Sequence, residues 1–402
     1  MDGHSMEEMS FAGIPESRLA SGTAWQPDVT PMHGFHRKFG EWAVMTHFNV
    51  FLNYDHQSGP RGEDQFNSTN WLMLMASRPV GRGELTFRTM LSLEPWTTTD
   101  EGYPMLFQTG EVFRGAPLID RQHPHDLFME LAALYRHKVA EKTFVSLYVA
   151  PSGEPALGPP AFMHRASAME NPMAPLSHHW QDSTHIAFGV ITLGLAHDKW
   201  QIEGSVFNGR EPNEERWGID RIRLDSVAGR VSYNPTPHWS LQASHGHLHS
   251  PEQLHPGEDV RRTTASVMHS RPLSGGGHWD TSLIWGRNSN EGLATHSVLL
   301  ESNVSLNRRT TLFGRAEHVQ KAGEDLGLQP EDRKFGITQL TLGATRELNS
   351  GRPLSIALGG SLSYSFAPGD LDDRYGDDPR GAWVFLRVRP AKMEHEPMSA
   401  AK

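Results

Sequence analysis

From Trp42 onward, apolar side chains fall on every second position of the chain. Trp42, Val44, Phe48, Val50, Leu52 and Tyr54 share one face of an extended segment, and Met45, His47, Asn49 and Asn53 share the other. Successive side chains of extended backbone point to opposite sides, so a period of two marks a strand whose two faces meet different surroundings. A second strand is expected near 67–78 and a third near 83–94, where Leu85, Phe87, Leu91 and Leu93 oppose Glu84, Arg88, Ser92 and Glu94. The pattern recurs near 126–137, 142–150, 184–196, 199–208, 223–234, 237–247, 260–271, 278–288, 294–306, 309–319, 334–347, 353–366 and 382–390, about sixteen strands in all. In 353–366 the alternation is cleanest: Leu354, Ile356, Leu358, Leu362 and Tyr364 interleave with Ser355, Ala357, Gly359, Ser361, Ser363 and Ser365.

One segment has two readings. His125 to His137 places Leu127, Leu131 and Leu134 at helical spacing. As a strand it puts Leu127, Met129, Leu131, Ala133 and Tyr135 outward, with Glu130 and Arg136 inward. The strand reading keeps the count even and is preferred.

Connection lengths then separate a soluble sandwich from a barrel. Short links at 79–82, 139–141, around Asp198, 235–236, 272–277, 307–308 and 348–352 alternate with links of about 12 to 33 residues, except for a short one around Asn290. A sandwich has no reason to sort loop length by end. Outer-membrane barrels do sort it, with short periplasmic turns and long extracellular loops. The expectation is an all-β fold: a single antiparallel, up-and-down transmembrane β-barrel. Its lipid-facing side should include Phe87, Leu91, Val145, Leu147, Trp200, Ile202, Leu340, Leu342, Leu358 and Leu362. The opposite faces carry Glu84, Arg88, Glu203, Arg230, Asp280, Glu301, Arg315, Glu317, Arg387 and Arg389 among Ser, Thr, Gly and Asn, which predicts a hydrated, charged lumen unless loops fill it.

Composition narrows the partners. The net charge of −10 and the lack of any Lys/Arg cluster argue against nucleic acid. No cysteine is present, which removes disulfides, thiolate metal sites and Cys nucleophiles. No apolar run approaches the 18 or more residues of a membrane helix. Residues 1–40, with Pro, Gly, Ser, Met and His but little periodicity, read as a mobile or plug-like His/Met-containing segment ahead of a barrel at 41–390 and a polar tail at 391–402. Met1 to Ser10 shows neither the basic start nor the apolar core of a secretory signal.

Candidate chemistry sits in two long interruptions, 114–125 and 161–185, and at the termini. Thioethers suit Cu(I), and imidazole suits copper, zinc and nickel. The candidate ligands are His4, Met6 and Met9 at the start, and His123, His125, Met163, His164, Met169, Met173, His178, His179 and His185 in the loops. Met393, His395 and Met398 add a group in the tail. No spacing matches a closed zinc motif. The alternative is that these residues order the loops by hydrogen bonds and packing. Asp120, His123, His125 and Asp126, or Ser177, His178, Asp182 and Ser183, contain the residue types of a hydrolytic triad, but no G-x-S-x-G elbow accompanies them.

Taken together, Trp71-Leu-Met-Leu-Met-Ala-Ser-Arg78, Leu91-Ser-Leu-Glu-Pro-Trp96, Asp120-Arg-Gln-His-Pro-His-Asp126, Ser177-His-His-Trp-Gln-Asp-Ser-Thr-His185 and Glu203-Gly-Ser-Val-Phe-Asn-Gly-Arg-Glu211 resemble a functionally uncharacterised family of bacterial outer-membrane barrels. Its members tend to carry a His/Met-rich N-terminal segment and occur with copper and other heavy-metal resistance systems. The resemblance covers most of 40–390. It implies an outer-membrane location and copper as a possible bound metal. The functional expectation is a porin-like channel for small solutes or metal ions, surrounded by lipid and compatible with a homo-oligomer, and not an enzyme. The alternatives are an outer-membrane lipid hydrolase and a non-conducting structural or metal-sequestering barrel.

Overall fold

The computed structural model describes residues 10–290, 292–349 and 353–393. Its long barrel strands are β1 (Trp42–Gln57), β2 (Asn70–Val80), β3 (Gly83–Leu91), β4 (Phe128–Ala140), β5 (Thr143–Gly153), β6 (Ala187–His197), β7 (Trp200–Phe207) and β8 (Ser226–Thr236), followed by β9 (Trp239–Leu248), β10 (Val260–Pro272), β11 (His278–Ser289), β12 (Ala294–Ser305), β13 (Thr310–Ala322), β14 (Lys334–Glu347), β15 (Leu354–Phe366) and β16 (Arg380–Pro390); Tyr103–Phe113 and Ala116–Gln122 form a separate two-stranded sheet. Each pairs antiparallel with the next, and β16 returns to β1, with Gly381–Val388 lying against Gln57–Val50. The result is a closed barrel of sixteen long strands, with two short segments, Phe35–Phe39 and Asp64–Asn67, also paired to β1. Every expected strand is present, shifted by a few residues at its ends, and 128–140 is a strand.

At one end the strands turn tightly. Gly81-Arg82, Glu141-Lys142 and Asp198-Lys199 are two-residue links in which Gly81, Lys142 and Asp198 take left-handed φ values of 60°, 52° and 49°. Links this short need left-handed backbone to match the twist of the strands that they join.

The outer surface is apolar. Leu342 is 74% exposed, Leu362 69% and Ile202 58%, values that only lipid makes affordable over so wide a band. Aromatic rings border the band at both ends. Trp200 stacks on Tyr233 (centroids 4.0 Å apart) with Trp239 and Trp279 near the short turns. Tyr54–Phe66 (4.8 Å) and Tyr364–Phe366 (4.7 Å) stand near the long loops. Such paired girdles mark the two interfaces of an outer membrane.

Two expectations need correcting. Met129, assigned to the lipid face, is buried instead. The β3–β4 register slips between Phe128 and Glu130, and the bulge turns Met129 inward beside Met73 and Met90. The lumen is also not simply hydrated. Protein fills it, because the connection at 154–186 folds inward and residues 10–34 enter from the short-turn side, as the contacts below show.

The lipid-facing assignment makes a quantitative prediction. Leu342→Arg, near the middle of β14, should destabilise the barrel in lipid vesicles by about 2–4 kcal/mol in urea unfolding, while a lumen-side change of similar size should not follow that depth dependence.

Candidate functional site in the occluded lumen

The inner wall carries small polar residues and charges beside apolar side chains such as Phe51, Phe207 and Phe385, and the loop at 154–186 is fastened to it almost all the way round. Ala156 N–H donates to Ser205 Oγ on β7 (2.7 Å), and Gly158 N–H to Ser244 Oγ on β9 (2.8 Å). Trp180 Nε1 donates to Thr295 Oγ1 on β12 (2.8 Å), and Thr345 Oγ1 on β14 donates to Glu170 (3.0 Å). Residues 10–34 bind the wall as well. Arg88 on β3 donates to Gly22 O (2.6 Å), Arg230 on β8 to Thr23 Oγ1 (3.0 Å), and Asn234 on β8 to Gln26 O (2.8 Å). The two segments meet where Ala161 N–H donates to Ser21 Oγ at 2.8 Å. Gly22 is needed there: its φ is +52°, and a Cβ would stand 2.8 Å from Glu154 Cβ.

All ten charged wall residues named from the sequence lie inside the barrel with a partner. Arg88 pairs with Glu130 (2.6 Å), Arg230 with Glu203 (2.9 Å), and Glu84 with Arg136. Asp280 accepts from Ser270 Oγ at 2.6 Å. Glu301 joins Arg165 of the loop (2.6 Å) to Arg315 of the wall (3.3 Å), and Arg165 also holds Asp182. Glu317 accepts from Ser177 Oγ at 3.0 Å. Glu170 of the loop joins Arg387 and Arg389, the latter at 2.6 Å. Removing an ion from water costs several kcal/mol, so each buried charge needs a partner, although single atoms such as Arg88 Nη1, Glu203 Oε1 and Arg389 Nη1 make no hydrogen bond among the described residues. Burial alone would raise the Glu170 and Asp182 carboxyls. The guanidiniums outweigh it, bringing Glu170 down to about 2 and holding Asp182 well below the carboxylate range, with His178 adding to the effect on Asp182.

The loop histidines gather in the same region. Ring centroids lie 5.7 Å apart for His123–His179, 5.3 Å for His125–His185 and 5.1 Å for His178–His185. One nitrogen of several rings is anchored: His125 Nδ1 at Glu94 (2.8 Å), His178 Nδ1 at Asp182 (2.7 Å) and His185 Nδ1 at the Asp182 carbonyl (2.8 Å). Burial, reinforced by neighbouring positive groups, pulls His123 and His185 well below the usual imidazole range, and burial brings His178 down to about 4 despite Asp182. Among the described residues no three of these histidines bring ligand atoms within 4.8 Å of one another; Glu252, His255 and Glu324 do, at the rim of the long loops. The methionines disperse. Met163 packs with Met73, Met90 and Phe162, Met173 belongs to a different apolar cluster with Tyr103 and Trp180, and the Met169 carbonyl accepts from Asn49. His164 turns to the wall, its Nε2 3.3 Å from Met90 Sδ. His4, Met6, Met9, His395 and Met398 lie outside the described residues. The sequence reading passed over His47, Met73 and Met90. Their inward register on three successive strands was the signal that could have found them.

The triad candidates are engaged elsewhere. Ser177 Oγ donates to Glu317, Ser183 Oγ accepts from Arg262 (2.8 Å), Asp120 is held by Arg61 (3.0 Å), and Asp126 by Arg216 (3.2 Å). Among the described residues neither serine is hydrogen-bonded to a histidine, the contact by which a serine nucleophile passes on its proton. Above the loop a cavity of about 150 Å³ opens toward the long-loop end. Its lining includes Glu111, His179, Glu211, Arg262 and Glu324.

Sixteen strands, a closed sheet, a loop folded into the lumen and two aromatic girdles together decide the fold. The chain has the fold of an outer-membrane porin. No family model matches its sequence, and no curated protein matches it. Among solved structures it is similar to OmpF of Salmonella typhi in complex with daunomycin, at TM-score 0.54 and 9% identity over 88% of this chain and 100% of that one. It is also similar to the outer-membrane channel DcaP of Acinetobacter baumannii (TM-score 0.50, 10% identity, 89% and 100% covered) and to OprB of Pseudomonas putida (TM-score 0.50, 9% identity, 86% and 94% covered). At such identities the likeness concerns the porin fold and not the solute.

Two outcomes follow for the ion pairs of this porin fold. Arg165→Ala leaves Asp182 with only His178 and Glu301 with only Arg315 and Ser167 as side-chain partners, and should cost about 3–5 kcal/mol, visible as a lower unfolding midpoint and as trypsin access to the loop. Glu170 has a folded pKa of about 2, below its ordinary value, so its contribution is present above about pH 4.5 and lost as pH falls toward 2. Thermal midpoints in detergent should drop across that window, and Glu170→Gln should flatten the drop.

Proposed function

We propose that this barrel is a gated outer-membrane channel for small solutes or metal ions, closed in the structure described. One observation carries the reading. The wall carries polar and charged residues on every side of the barrel, and the occluding segments are held to it by hydrogen bonds and ion pairs that water can replace as well as by apolar packing. A barrel of this strand number leaves an aqueous passage once its filling moves. The cavity at the long-loop end is the way in from outside, and residues 10–34 close the short-turn side. The resemblance to barrels found with copper resistance supports metal ions, copper among them, as cargo. The surrounding partner is lipid, and association of further copies in the membrane is part of the proposal, read by cross-linking in native membranes.

The rival is a non-conducting structural or metal-sequestering barrel, favoured by the apolar cluster of Phe51, Phe107, Trp180, Phe313, Trp383 and Phe385 that packs the long-loop half. Planar-bilayer recording separates them. The intact chain should show low or brief conductance. A variant lacking residues 10–34, with 155–182 replaced by a short Gly/Ser link, should show steady openings of porin size. A silent variant that still shows the heat-resistant gel mobility of a folded barrel would end the channel reading.

A further inference from the structure

We propose that His47, Met73, Met90 and His164 form a binding site for a soft monovalent cation, Cu(I) or Ag(I), between the barrel wall and the occluding loop. Three of the four come from one cross-strand row. His47 on β1 is the register partner of Met73 on β2, and Met73 is the partner of Met90 on β3. Directly paired residues in a sheet have their side chains on the same face about 5 Å apart. The loop supplies the fourth. His47 Nε2 lies 3.0 Å from Met73 Sδ, His164 Nε2 lies 3.3 Å from Met90 Sδ, and the two imidazole rings are 5.7 Å apart. Metal–nitrogen and metal–sulfur bonds of about 2.0 and 2.3 Å place such N and S atoms roughly 3–4 Å from each other, so little movement is needed to seat an ion.

The donor chemistry selects the ion. Two thioethers and two imidazoles are neutral and polarisable, the set that favours Cu(I) or Ag(I) over zinc or magnesium, which take charged or oxygen ligands more readily. A thioether is a weak hydrogen-bond acceptor, so structure alone gives these two imidazoles little reason to direct Nε2 at sulfur. Met73 and Met90 are buried, whereas both histidines keep partial exposure. Trp71 closes the site, its ring 4.9 Å from each imidazole. Glu130, 2.6 Å from Arg88, matches the guanidinium charge below the row. Three ligands stand on strands of a closed barrel, so the ordering cost of assembling the site is small. The site is independent of conduction, because binding is read in micelles, where no current flows.

The test uses the full chain in detergent under anaerobic conditions, titrated with Cu(I) against a chromogenic Cu(I) chelator and with Ag(I) by calorimetry. Met73→Leu with Met90→Leu conserves volume and should keep the fold. Loss of an outer-shell partner alone costs 10–100-fold in metal affinity, so losing two ligands should weaken this site by about 100-fold or more. The double variant should therefore bind one ion fewer than the parent, with Zn(II) binding unchanged. Equal stoichiometry and affinity in parent and variant would overturn the proposal. X-ray absorption on the parent chain carrying one equivalent of Cu(I) needs no variant. Sulfur and nitrogen neighbours that vanish in the double variant support the site, and a shell of nitrogen and oxygen alone, or one unchanged in the variant, refutes it.

Discussion

Closure of β16 onto β1 is the constraint from which the rest of the molecule follows. In lipid an unpaired backbone N–H or C=O costs several kcal/mol, so a sheet can cross a membrane only if no edge remains. The pairing of Gly381–Val388 with Gln57–Val50 removes the last edge. Once closed, sixteen strands enclose a lumen of fixed width, and every inward side chain must meet either water or protein. This chain answers mostly with protein.

That answer explains the unusual interior. Arg88, Arg165, Arg230 and Arg387 are all fully buried, a poor arrangement in an ordinary core. Each is matched by a carboxylate contributed by a different segment: Glu130 across the β3–β4 pairing, Glu301 and Asp182 around Arg165, Glu203 across β7–β8, and Glu170 from the loop to Arg387. Such pairs add little net stability over apolar packing, but they are demanding in geometry, since an ion left without its partner is costly. The pairs of Arg165 and Arg387 therefore act more as a register for the occluding loop than as glue, while those of Arg88 and Arg230 tie one wall strand to the next. They are also the kind of contact that water and ions can exchange, which apolar packing is not. The functional reading depends on this difference.

The interior is graded along its length. Near the long loops, rings from the wall and from the loops pack as a core, with Phe107 stacked on Tyr375 at 4.0 Å and Tyr103 edge-on to Trp383 at 5.3 Å. Near β1 to β3 the wall turns to His and Met, and near β7 to β9 it is polar and binds residues 10–34. The loop at 154–186 touches all three regions. Movement of that one element would expose carboxylates, thioethers and aromatic faces together.

The sequence by itself determined the cylinder. A period of two is a local property of the backbone, and sorting of loop length by end follows from the way the strands cross the membrane, so Leu342, Leu362 and Ile202 could be placed on the lipid face and Glu301, Arg315 and Arg387 on the inner one without coordinates. Met129 escaped because a bulge changes face without changing composition. What filled the cylinder was decided only by tertiary structure. Loops 114–125 and 161–185 have no period, and whether they fold inward depends on partners more than a hundred residues away, as with Arg165 and Glu301. Five of the six loop histidines share a neighbourhood that no spacing in the sequence marked. The row of His47, Met73 and Met90 lies in three strands whose faces were legible, yet its meeting with His164 was not, because cross-strand register and loop position are both settled by packing inside the closed barrel.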